Sequence, residues 1–91
     1  MKIVIVGAGK IGFDLARILS QDDHDIIVID QDFEAIEPIA NNFDVMTVRG
    51  NGASVKVLEE INVKEADLLL AVTGNDELNI IAGMVAKQYG V

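Results

Sequence analysis

Four short apolar runs recur along the chain, Ile3 to Val6, Ile26 to Ile29, Val45 to Val48 and Leu68 to Val72. Each is β-branched or Leu-rich without regular polar alternation, the pattern of parallel strands buried on both faces. Helical spacing fills the gaps. Ile11, Leu15, Ile18 and Leu19 fall at i, i+4, i+7 and i+8, which predicts an amphipathic first helix with Asp14, Arg17 and Gln21 turned outward. A second helix is predicted from about Phe33 to Asn42, with Asp32 as its N-cap and Ile36, Ile39 and Ala40 facing inward. Pro38 lies beyond its first turn, removes one hydrogen bond and is expected to kink or shorten it. The third helix, about Ser54 to Ile61, points Val57, Leu58 and Ile61 inward. The fourth opens at Asp76, runs to about Tyr89 and carries Leu78, Ile81, Ala82 and Val85 as its inward stripe.

Strand and helix therefore alternate four times, and right-handed crossovers between parallel strands lead to a doubly wound sheet in the order 3-2-1-4. The fold class expected is α/β, Rossmann-like. Gly90-Val91 reads as a helix stop followed by the first residue of a further strand, so the expectation is one domain over residues 1–91, truncated after its fourth helix.

Composition sharpens this picture. Hydrophobic residues make up 51% of the 91 positions and aromatics only 4%, so the core is built from Ile, Val, Leu and Ala. Fifteen acids against seven bases give a net charge of −8, which repels nucleic-acid phosphates and anionic lipid and argues against both as direct partners. There is no cysteine, hence no disulfide, thiol nucleophile or thiolate metal site, in keeping with a cytoplasmic setting. The apolar run after Met1-Lys2 is too short for a signal peptide or a membrane span.

Candidate chemistry begins where the first strand ends. Gly7-Ala8-Gly9-Lys10-Ile11-Gly12 is a G-x-G-x-x-G between a strand and a helix. In this motif Gly7 makes the tight turn, Gly9 admits a pyrophosphate close to the backbone, and Gly12 lets helix and sheet approach, while the N–H groups of Ala8 to Gly12 and the helix dipole hold the anion. Asp30 ends the second strand eighteen positions after Gly12, where a carboxylate for the ribose hydroxyls belongs. The competing reading is a glycine turn and an incidental acid. Neither Gln31 nor Asp32 supplies an arginine for a 2′-phosphate and Asp30 repels one, which favours NAD(H) over NADP(H).

Further candidates are less specific. Lys10 either approaches the pyrophosphate or is a solvated first-turn lysine. Asn51, within Arg49-Gly50-Asn51-Gly52, either meets the adenine edge or belongs to a plain turn, with Asn51 or Ser54 capping the next helix. Thr73 and Gly74 close the fourth strand and can line the groove, while Asp76 reads as the cap of the last helix, with Glu77 in its first turn and Asn79 near the cap. A hydride-transfer enzyme needs an acid or base beside the nicotinamide, yet His24 falls at the wrong edge of the sheet and neither Tyr89 nor Lys87 has an activating neighbour. The expectation is a binding site without catalytic residues. The rival is the cofactor-binding piece of an NAD-dependent dehydrogenase. Ile80 and Met84 add apolar surface beyond the inward stripe of the last helix, for a later element or another subunit to cover.

With the glycine loop, Asp30, Arg49 to Ser54 and the stretch Ala66-Asp67-Leu-Leu-Leu-Ala-Val-Thr73-Gly-Asn-Asp-Glu-Leu-Asn79 in hand, the chain resembles the N-terminal nucleotide-binding domain of the TrkA potassium-uptake regulators, the KTN or RCK family. The resemblance implies a cytoplasmic, non-enzymatic domain that binds NAD(H), or in some members ATP/ADP. Such domains assemble into dimers or rings on a membrane K⁺ transporter or channel and bias its opening. Matched onto this sequence, the family's phosphate loop falls on Gly7 to Gly12, its ribose acid on Asp30, its adenine-side turn on Gly50 to Ala53 and its fourth-strand contact on Thr73 and Gly74. Many members carry Asp where this chain has Asn51.

Overall fold

The computed structural model describes all of residues 1–91. Its elements are β1 (Lys2–Val6), α1 (Lys10–Leu19), β2 (Asp25–Asp30), α2 (Phe33–Asn42), β3 (Met46–Arg49), α3 (Val55–Glu60), a 3-10 turn (Val63–Glu65), β4 (Leu68–Ala71) and α4 (Asp76–Gln88). The four strands form one sheet in the order β3-β2-β1-β4, and every pairing is parallel. This is the Rossmann-like arrangement that the alternation of runs predicts.

The two central strands are buried on both sides because successive side chains point to opposite faces. Val4, Val6, Ile27 and Ile29 pack with Leu58, Ile61, Val63 and Ala86 on the α3–α4 side. Ile3, Ile5, Ile26 and Val28 pack with Ala16, Ile36 and Ile39 on the α1–α2 side. The outer strands depart from the expectation of double burial. Met46 on β3 and Leu68 on β4 are exposed, since a strand at the border of the sheet has fewer neighbours to cover it.

Helix orientation is where periodicity alone misleads. In α1 the buried positions are Gly12 and Ala16, while Ile11 and Ile18, expected inward, are exposed. The helix is turned by about one residue, roughly 100°, because its closest approach to the sheet is made by residues with little or no side chain. The same holds in α4, where Ala82 and Ala86 are buried and Ile81 faces solvent with Ile80 and Met84. In α2, Ile36 and Ile39 are buried as expected, but Ala40 is exposed. Pro38 does not shorten α2, which continues to Asn42. The carbonyl that loses its donor is that of Glu34, an exposed residue within reach of water.

Several local contacts fix the ends of these elements. Lys2 Nζ donates to the carbonyls of Ile61 and Asn62 at 3.0 and 3.3 Å, a cation at the C-terminal end of α3, where the helix dipole favours one. The amide of Lys2 donates to Asp67 Oδ2 at 2.8 Å, tying the start of β1 to the start of β4. α4 stops at Gly90, whose φ is +88°; Gly90 N donates to Lys87 O and Val91 N to Ala86 O, the paired bonds of a Schellman motif.

The phenol of Tyr89 donates to Glu59 Oε1 at 2.7 Å and links α4 to α3. That hydrogen bond, followed by desolvation and the nearby carboxylate charge, raises the phenol above its usual 10.0. Because the folded value is the raised one, the contribution of this bond is complete at neutral pH and is lost only as pH rises through the raised value. Tyr89 is the sole tyrosine and there is no tryptophan, so tyrosinate absorbance reports it alone. We expect a titration midpoint above 10.0 that falls toward the usual value in Glu59→Ala, where the hydrogen bond and the carboxylate charge are both removed.

Candidate functional site

At the carboxyl ends of β1, β2 and β4 the sheet opens into a crevice of about 300 Å³ bordered by Val6, Ile29, Asp30, Gln31, Gly50, Gly52, Thr73, Gly74, Asn75 and Leu78. In doubly wound sheets this edge is where ligands bind. The glycine loop runs out of β1 into α1 beside it. Gly7 adopts φ +119°, and a Cβ there would come within 2.9 Å of the Val72–Thr73 peptide. A Cβ on Gly12 would stand 1.8 Å from the Gly7 carbonyl oxygen. These two positions need glycine for reasons internal to the fold. At Gly9 no atom lies within 4 Å of where a Cβ would be, so its bare backbone faces open space that an incoming group can occupy.

The starts of the four helices differ. Asp32, Ser54 and Asn75 cap α2, α3 and α4 by accepting from Glu34 N, Val57 N and Leu78 N, whereas the N-cap of α1 is Gly9, with no side-chain cap. Nor does the first turn of α1 carry an acid, although Glu34 and the Asp76-Glu77 pair occupy the first turns of α2 and α4. The first N–H groups of α1 therefore have no side-chain partner and no neighbouring first-turn acid at the positive end of the helix. The expected cap of α4 is corrected here. Asn75, not Asp76, makes the capping bond, because the residue one step earlier has the extended backbone a cap requires.

Asp30 joins the crevice to the loop. Its Oδ2 accepts from Ala8 N and its Oδ1 from Asp32 N, both at 2.8 Å. A carboxylate offers about four acceptor sites, so two remain unused by the chain itself. Lys10 does not enter the crevice: its side chain is 90% exposed and lies 3.8 Å from Asp14. Ile11 is exposed on α1. Asn51 is exposed and its Oδ1 accepts from Ala53 N at 2.8 Å, closing its own turn, while Ser54 caps α3. The crevice is bordered instead by the neighbouring Gly50 and Gly52. A Cβ on Gly52 would lie 2.2 Å from Val6 Cγ1, so that turn sits directly on the end of β1.

Thr73 and Gly74 do reach the rim. Asn79 hydrogen bonds with Thr73, a role its position near the helix start did not suggest. Arg49 also acquires a partner that the local sequence hides. The parallel register sets it beside Asp30, and its Nε donates to the Gln31 carbonyl at 3.2 Å. His24 lies at the opposite edge, with Nδ1 3.3 Å from the N-terminal amine.

A sequence model of the TrkA-N domain matches residues 3–90. The chain belongs to the TrkA-N domain family. Among curated proteins it is 46% identical over 90 residues to a Trk system potassium uptake protein TrkA homolog of Archaeoglobus fulgidus, covering 99% of this chain and 20% of that protein. It is 36% identical over 91 residues to a protein of the same name in Methanothermobacter thermautotrophicus, covering all of this chain and 42% of the relative. The chain thus spans less than half the length of these curated relatives. Among solved structures, Shewanella denitrificans Kef CTD in AMP bound form aligns with a TM-score of 0.80 at 20% identity, over 97% of this chain and 52% of that one. An oxidoreductase from Lactococcus lactis aligns at 0.73 and 22% identity, over 100% and 45%. These last two likenesses concern the fold alone.

The glycines around the crevice separate into structural and open positions, which stability measurements resolve. Gly12→Ala and Gly52→Ala are expected to lose at least about 1–3 kcal/mol from overpacking. Gly9→Ala is expected to stay within about 1 kcal/mol of the parent, the difference between Gly and Ala as an N-cap. Thermal unfolding of the three variants checks this order.

Proposed function

We propose that this TrkA-N domain is a regulatory nucleotide sensor that binds NAD(H) in the crevice and carries no chemistry of its own. The observation that carries the reading is the uncapped start of α1, opening beside Asp30 at the carboxyl edge of the sheet. The free N–H groups of Gly9, Lys10, Ile11 and Gly12 would hold a pyrophosphate, Gly7 and Ala8 would shape the turn, and the two unused acceptor sites of Asp30 would take the ribose hydroxyls. Gly50 and Gly52, with Asn51 between them, would border the adenine. Thr73 and Gly74 would form the opposite wall.

Asp30 supports NAD(H) over NADP(H), since a 2′-phosphate would be brought against its carboxylate. ATP or ADP is the competing ligand, because both share the adenosine and phosphate groups that this half of the crevice addresses; the AMP held by the structurally similar Kef domain is of that kind. The dehydrogenase reading has less support. His24 stands at the far edge, and Glu59 holds the Tyr89 phenol in its protonated form.

The names of the curated relatives support a role in potassium uptake. In this reading the domain works in the cytoplasm, at the inner face of the membrane, on a K⁺ transporter or channel subunit. The exposed row of Ile80, Ile81 and Met84 supports assembly into a homo-oligomer, through which nucleotide binding shifts the balance between assembly states.

Titration calorimetry of the intact protein with NADH, NAD⁺, NADPH and ATP tests the ligand. NADH or NAD⁺ is expected to bind more tightly than NADPH. Asp30→Ala should lose about tenfold or more, the value of hydrogen bonds to a charged group, with Asp30→Asn in between. Equal affinity in the parent and Asp30→Ala would remove Asp30 from the site.

A further inference from the structure

Resting on the nucleotide reading above, we propose that Asn79 is a positioning residue for ligand binding, holding Thr73 and Gly74 at the rim of the crevice without touching the ligand itself. The sheet ends just before this point. Val72 N makes a sheet bond to Val6 O at 2.8 Å, and β4 itself stops at Ala71. At Thr73 the backbone groups have no neighbouring strand to pair with, and buried backbone groups must find partners elsewhere.

The Asn79 carboxamide supplies both partners. Its Oδ1 accepts from Thr73 N at 3.0 Å and its Nδ2 donates to Thr73 O at 3.0 Å, so one side chain pairs with a residue as the next strand would. The Thr73 hydroxyl accepts from Asn75 N at 3.1 Å, and its proton has two acceptors within reach, Asn75 O and Asn79 Oδ1. Asn75 Oδ1 in turn caps α4 through Leu78 N. Thr73, Asn75 and Asn79 therefore form a closed network between the end of β4 and the first turns of α4.

This network lies directly against the phosphate loop. The Val72–Thr73 peptide is the wall that excludes a side chain at Gly7, so a shift of Thr73 disturbs both the rim and the support of the loop. The Thr73 amide is already taken by Asn79, which gives Thr73 a shape-setting part. Gly74, with nothing within 4 Å of its absent Cβ, is left facing the opening.

The test uses NADH calorimetry and thermal melting on the intact protein. Asn79→Ala is expected to weaken NADH about tenfold, the effect of leaving half-buried backbone groups unpaired. Ile39→Val, which thins the core beneath α2, should melt lower while binding NADH as the parent does. Asn79→Asp separates positioning from bulk stability and serves if Asn79→Ala does not fold. At neutral pH the introduced carboxylate can accept from Thr73 N but faces the Thr73 carbonyl, so NADH should again bind about tenfold more weakly. As pH falls the neutral acid regains a donor for that carbonyl, and affinity relative to the parent at the same pH should recover. The carboxylates nearest this network, Asp30 across the crevice, Asp32 beyond it and Asp76 and Glu77 on α4, are the same in both proteins, so their effect is removed by that comparison. NADH affinity in Asn79→Ala and Asn79→Asp equal to the parent's would overturn the proposal and leave the nucleotide reading standing. A fixed deficit in Asn79→Asp across the pH range would also overturn it. No binding of NADH, NAD⁺ or ATP by the parent would overturn both.

Discussion

The close approach of backbone to backbone at the end of β1 constrains everything around the crevice. The Gly7 carbonyl lies where a Gly12 side chain would begin, and the Val72–Thr73 peptide lies where a Gly7 side chain would begin. The turn out of β1 and the start of α1, adjacent in sequence, are thereby brought to one point with the end of β4, which lies far along the chain. Packing this tight leaves little room for adjustment, since interiors are filled to crystalline density and a single added methyl is felt. The small residues Gly12 and Ala16 on α1, with Ala82 and Ala86 on α4, extend the same device along the helices.

Polar groups then hold what the close packing brings together. Asp30 grips the loop through Ala8 N and its own turn through Asp32 N, and Asn79 grips Thr73 on the other side. Between them, the start of α1 is the one helix start without a side-chain cap. A chain with a net charge of −8 thus keeps one small region where a helix dipole and free N–H groups favour an anion.

The sheet order was legible because buried parallel strands leave unbroken apolar runs, and the turn chemistry was legible at Gly7, Gly12 and Asp32, which have strong local requirements, whereas the cap of α3 was left open between Asn51 and Ser54. Which face of each helix turns inward was less so. Periodicity weights Ile11, Ile18 and Ile81 by their hydrophobicity, whereas close packing against the sheet selects small residues and turns those larger ones outward. At the crevice, the placement of Asp30 beside the glycine loop could be read from spacing. The pairing of Asn79 with Thr73, the place of Arg49 beside Asp30 and the self-closing of the Asn51 turn could not, because each depends on three-dimensional register or on a side chain choosing its own backbone over the crevice.

The most direct test of the central claim is to follow backbone amide resonances of the protein as NADH is added. The account predicts that the largest shifts fall on Gly9 to Gly12, on Asp30 to Asp32 and on Thr73 and Gly74, with the amides at the start of α1 moving furthest as they gain an anion. Shifts confined instead to the apolar groove between α3 and α4, around Val55, Met84 and Val85, or an unchanged spectrum at saturating NADH, would contradict it.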